Sequence, residues 1–139
     1  MTDIVVTAAQ VSLLDPMKAE VGTYIAAEAI TKGDVVAFDT AGKARVADAN
    51  GSYKQARGIA LQTVVANDAV EVVHDGKVAG FAVSALNGDA KLYLSHTAGK
   101  LSDAAGSTSV VVARVVTLTN VPTLTKVIKV FTQWEADWA

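Results

Sequence analysis

The chain contains no cysteine. That excludes disulfides, thiolate chemistry and cysteine-based zinc sites, and it leaves the redox compartment open. Only two histidines are present, a thin stock for acid–base or metal chemistry. Lysine and arginine together number 12 against 14 acids, for a net charge of −2, and no basic cluster occurs. Nothing here would neutralise a run of phosphates, so a nucleic-acid partner is not expected. No stretch approaches the roughly 18–20 uninterrupted apolar residues of a membrane-spanning helix, so no membrane partner is expected either. Met1-Thr2-Asp3-Ile4-Val5-Val6 places an acid where a signal peptide carries positive charge. The expectation is a soluble protein made in the cytoplasm.

What the chain does have is small and aliphatic. Hydrophobic residues make up 51% of it and aromatics only 6%, and the excess is largely Ala and Val. That composition favours many short strands over a large aromatic core. A pattern also recurs. Gly33-Asp34, an apolar run, then Thr40-Ala41-Gly42-Lys43 returns as Gly88-Asp89, an apolar run, then Thr97-Ala98-Gly99-Lys100. The Gly-Asp pairs are offset by 55 and the Thr-Ala-Gly-Lys quartets by 57 (88 − 33 and 97 − 40). A weaker copy, Asn67-Asp68, lies between them. Each reads as a corner, a strand and a glycine turn.

Taken in order, residues 1–25 read as an N-terminal arm, 26–132 as a β domain and 133–139 as a tail. Thr2–Ala9 is extended and β-branched, either an arm that adds to a neighbour or an ordinary first strand. Asp15 and Pro16 suit the start of one helical turn, which Gly22 interrupts. Strands are expected over 35–39, 44–48, 58–65, 70–74, 77–79, 90–95, 109–119 and 125–132. Asp75-Gly76 between apolar runs predicts a hairpin, and Asn120-Val121-Pro122-Thr123 another reversal. The fold class is therefore all-β, a small barrel or sandwich with little helix.

Chemistry is scarce. His74 beside Asp75 and His96 in the second long turn invite a metal or a His–Asp base, but no ligand spacing supports either. Both are expected to be solvated turn residues. Gly-Asp corners are not phosphate loops, because neither the P-loop nor the dinucleotide pattern follows; Asp34 and Asp89 are expected to accept backbone N–H groups there. Gly33, Gly42, Asp75, Gly76, Gly88 and Gly99 are assigned to turns. No enzyme, cofactor or metal site is expected. Trp134 and Trp138 fall in the last six residues, where terminal segments seldom own a core, and point to an interface.

The ordered set of segments resembles the capsid cement, or head decoration, proteins of tailed phages. The segments are the opening Thr2-Asp3-Ile4-Val5-Val6-Thr7-Ala8-Ala9, AITKGDVVAFDTAGKARVADA (29–49), ARGIAL (56–61), GDAKLYLSHTAGKLS (88–102) and TKVIKVF (125–131). Asn67, the stretch 15–24 and the Trp-bearing tail depart from the pattern. The resemblance implies a virion protein, a homotrimer on the outside of the expanded icosahedral head. It would bind the major capsid protein at three-fold and quasi-three-fold positions and brace the shell against internal DNA pressure. Thr2, Ile4, Val5, Val6, Thr7, Trp134 and Trp138 would then lie at the capsid or subunit interface. A carbohydrate- or receptor-binding β module is the other reading; its aromatics, Tyr24, Phe38, Tyr53, Phe81, Tyr93 and Phe131, are scattered along the chain.

Overall fold

One long strand, β6 (Ala69–Ala79), is the element the others pair around. The computed structural model describes residues 2–120 and 123–132. Before β6 come β1 (Ser12–Leu13), β2 (Glu20–Ile25), β3 (Val35–Phe38), β4 (Ala44–Val46) and β5 (Gly58–Ala60); after it come β7 (Lys91–Leu94), β8 (Leu101–Ser102), β9 (Val111–Asn120) and β10 (Thr123–Phe131). Among the described residues helix is confined to two 3₁₀ turns, Ala8–Gln10 and Pro16–Lys18, the second with Asp15 ahead of it but no side-chain cap. The strands form one strongly curled antiparallel sheet, a half-barrel.

Its order is β4-β3-β5-β6-β10-β9-β7-β8. The order reads the same from either end, because the second half repeats the first. In β3–β4, Phe38 faces Ala44; in β7–β8, Leu94 faces Leu101. The corners repeat atom for atom. Gly33 N–H donates to Ala60 O while Ala60 N–H donates to Asp34 O; Asp89 and Val115 do the same with Ala90, and Asn67 and Ala26 with Asp68. The equivalent residues are thus Gly33, Asn67 and Asp89, all at positive φ (+97°, +72° and +66°). Asn and Asp are the side chains that tolerate this conformation best after Gly. The Gly-Asp match at offset 55 is one residue out: Gly88 lies in the turn, but Asp89 takes the left-handed position.

Three expectations are corrected. Asp75-Gly76 makes no hairpin; β6 runs straight through it. There Asp75, Gly76, Lys77 and Val78 pair with Phe131, Val130, Lys129 and Ile128, while β1 and β2 take the other side. A hairpin would forfeit both ladders. Gly76 is needed for space, since a Cβ there would sit 2.9 Å from Ala19 Cβ. The strand expected over 58–65 stops at Ala60, and Val64 instead bridges to Ile30. Residues 1–25 are no separate arm, because β1 and β2 both pair with β6.

Apolar side chains fill both faces of the sheet. β3 sends Val35 and Ala37 into the larger cluster, with Ile59, Leu92, Leu94 and Ile128, and Val36 into a smaller one with Ile30, Val70 and Val72. Burial on both sides explains its unbroken apolar run. Each fully buried Ile or Leu contributes about 1.5–3 kcal/mol.

Candidate interaction surface

Residues 2–7 lie between two parts of the half-barrel. Thr2 N–H donates to Asp103 Oδ1 at 2.8 Å and Ile4 N–H to Leu101 O at 2.8 Å, on the β8 side. Thr7 N–H donates to Gly80 O and Ala82 N–H to Val5 O, both at 2.9 Å, on the β6 side. An extended segment alternates its side chains. Accordingly Ile4 is buried and Val6 packs against the core, whereas Val5 and Thr7 face solvent; Thr2, on the Ile4 side but at the end of the segment, is exposed as well. Val6 also needs Gly33, where a Cβ would come within 2.7 Å of Val6 Cγ1. Of the five proposed contact residues in this segment, Ile4 and Val6 therefore face inward and serve the fold.

Asp3 ties this segment to the second repeat. In the first repeat Asp39 caps its own turn, accepting the N–H groups of Ala41 (3.0 Å) and Lys43 (2.9 Å) and the Nε–H of Arg45 (3.1 Å). The equivalent residue is Ser95. Its Oγ accepts Thr97 N–H at 3.0 Å and donates to Asp3, so the N-terminal segment supplies the carboxylate this turn lacks. The Ser95 hydrogen bond, with a second from Thr97, holds the Asp3 carboxyl below its ordinary value. A lowered carboxylate pKa stabilises the fold above the unfolded-state value, and that stability is lost as pH falls through the folded-state value. Asp3→Asn is thus expected to lower Tm at pH 7, with the difference closing below about pH 4; thermal unfolding across pH 2–8 checks it.

Asp34 differs. Burial pushes its carboxyl up, opposed by the Thr31 N–H bond at 2.9 Å and by Lys100. Gly99 (φ +76°) packs against it, since a Cβ there would lie 2.8 Å from Asp34 Oδ1. The turn carrying Gly99 thereby docks on the first repeat: Val35 N–H donates to Gly99 O and Gly99 N–H to Ala47 O. Gly42 (φ +82°) makes the corresponding exposed turn. Among the described residues no backbone N–H donates to the Asp89 carboxylate, which pairs with Arg114 at 3.4 Å.

His74 is buried, not a solvated turn residue. It sits where β5 and β10 meet on one side of β6. Its Nδ1 contacts Arg57 O, which can only accept, so Nδ1 carries the proton; in the neutral ring Nε2 accepts from the Tyr24 hydroxyl at 2.6 Å. The single Thr132 O–H donates to Arg57 O at 2.6 Å, with His74 O at 3.1 Å as its second, longer acceptor. His96 is exposed and accepts Ser107 N–H at 2.7 Å, on a different loop. Among the described residues no three of His, Asp and Glu gather as a metal site, and no helix is long and apolar enough to cross a membrane.

The exposed large apolar side chains do concentrate. Among the described residues they are Val5, Leu14, Met17, Val21, Ile25 and Val65, and all but Val65 lie in the first 25 positions. No family model, curated protein or solved structure matches this chain. The surface must therefore be read from its own chemistry. Met17 is 95% exposed at the tip of a 3₁₀ turn. Val21, Thr23 and Ile25 stand on one face of β2, all exposed. β2 pairs with β6 on one side, and no other described strand pairs with it. An unpaired strand edge with apolar side chains is a template for another chain unless something covers it. Leu14, Met17, Val21 and Ile25 were not singled out from sequence, although the alternation from Val21 to Ile25 was visible there. Trp134 and Trp138 lie outside the described residues.

Proposed function

We propose that this is a structural virion protein that binds the outside of an expanded icosahedral phage head through the surface formed by residues 2–25. On this reading its partner is the major capsid protein, and it stands as a homotrimer at three-fold and quasi-three-fold positions, bracing capsomers against internal DNA pressure. The observation that carries it is the concentration of exposed apolar side chains in one short part of the chain, held rigidly by pairing to β6, β8 and the 80–82 segment. These side chains are spread along the sheet, Val5 beside Ala82, Leu14 beside Lys77, and Val21 and Ile25 beside Val73 and Ala69, so contacts made there would be shallow and extended. Shallow apolar contacts repeated by symmetry gain strength from avidity and need no deep pocket. The segment order quoted from the sequence points the same way.

The test is co-sedimentation of the full chain with expanded shells of the major capsid protein that carry no other outer protein. Binding should saturate at one trimer per three-fold or quasi-three-fold position. Failure of the folded protein to bind such shells overturns the proposal.

A further inference from the structure

Beside the apolar surface lies an open cleft of about 180 Å³ lined by Asp15, Lys18, Asp75, Gly76, Lys77 and Lys129. Three separate elements deliver its lysines: the Pro16–Lys18 turn, β6 and β10. Two of them, Lys77 and Lys129, are direct cross-strand partners. Like charges facing each other across an antiparallel pair are destabilising. Two carboxylates, Asp15 and Asp75, share the cleft with the three lysines, which leaves one ammonium in excess; Asp75 reaches Lys129 only at 4.0 Å, with both side chains about half exposed, so it compensates weakly. Among the described residues no aromatic ring lines the cleft, which does not suit a sugar. Leu14, exposed and next in sequence to the lining residue Asp15, donates its N–H to Lys77 O at 2.9 Å, and Met17 projects from the same turn as Lys18.

We infer that this cleft receives a carboxylate-bearing protein segment, with an acidic side chain set among the three ammonium groups and an adjacent apolar side chain laid on Leu14 and Met17. The inference deepens the proposed function and rests on it for the partner's identity: the segment is an acidic–apolar stretch of the capsid protein exposed on the expanded shell. A carboxylate bridging Lys77 and Lys129 removes the repulsion that the protein alone tolerates. Its contribution is electrostatic and near the rim, so it is salt-dependent.

The experiment compares the full chain with K18Q/K77Q/K129Q in shell co-sedimentation from 50 to 500 mM NaCl. The expected result is about 10- to 100-fold weaker binding at low salt and a flattened salt dependence, with unfolding unchanged or slightly improved. Equal affinity and an equal salt slope for the two proteins overturns the cleft while leaving the proposed function standing. If neither protein binds shells, the proposed function fails and the cleft is read separately, by NMR titration with a synthetic peptide of alternating Glu and Leu. Perturbation at Lys18, Lys77 and Lys129 that is absent with the Gln/Leu peptide supports the cleft; none overturns it. Two further outcomes also overturn it. One is saturation of the same signals by inorganic phosphate at equal concentration. The other is displacement of the peptide by the chain's own residues 133–139, which include Glu135 and Asp137.

Discussion

Ile4→Ala is expected to destabilise the protein by about 2–4 kcal/mol, while Val5→Ala, one residue on, changes stability by no more than about 0.5 kcal/mol. The two residues sit in the same extended segment and differ only in which way they point. Ile4 is 6% exposed within the larger core cluster; Val5 is 68% exposed. Truncating Ile4 removes buried methylenes and leaves a cavity under the β8 edge, whereas truncating Val5 removes atoms already in water. Urea unfolding of the two variants measures the difference. A large loss for Val5, or none for Ile4, would mean the segment pairs in the opposite register, since a one-residue slip exchanges its faces.

Gly58→Ala is expected to cost about 2–3 kcal/mol, and Gly88→Ala no more than about 0.5 kcal/mol. A Cβ on Gly58 would lie 2.4 Å from Val73 O and 2.5 Å from Val72 Cγ1. The carbonyl belongs to the β5–β6 pairing, Ile59 to Val73, and cannot retreat without breaking it. Gly88 has nothing within 4 Å of the same added atom, and its backbone is not left-handed. Thermal or urea unfolding separates the two, and comparable losses would contradict the packing described for β5.

The strands that sequence reading places well are those whose pattern is local. β3, β4, β7, β9 and β10 each carry an apolar run closed by a glycine turn or a reversal, and their bounds fall within a few residues of expectation. The repeat was legible too, though its register was not. Identity of Gly-Asp drew the alignment to offset 55, while the backbone equates Gly33 with Asp89, because conformation at the corner, not residue type, is what repeats. Asp75-Gly76 misled for a related reason. A hairpin signal is local, but whether the strand continues is decided by partners far away in sequence, β10 at residues 128–131 and β1 and β2 near the start. β2 is hidden in the sequence by Gly22, which reads as the interruption of a helical turn, although Val21, Thr23 and Ile25 carry a strand's period of two. His74 could not have been assigned to the interior from its neighbours; its burial depends on Tyr24 and Arg57, 50 and 17 residues away.

Within the contact segment expected from the sequence, Thr2, Val5 and Thr7 are exposed, whereas Ile4 is buried and Val6 packs on the core; which face of the segment is covered depends on partners far away in sequence. Leu14, Met17 and the cleft lysines form a surface only after β1, β6 and β10 are brought together.

The most direct test of the account is shell co-sedimentation of the wild-type chain beside Val5→Asp/Met17→Asp. Both positions are exposed, so the double variant should unfold like the wild type. The account predicts saturable binding for the wild type and loss of at least about 30-fold in affinity for the variant, since two apolar contacts become desolvated carboxylates. Undiminished binding of the folded variant would contradict it, placing the contact surface elsewhere than the first 25 residues.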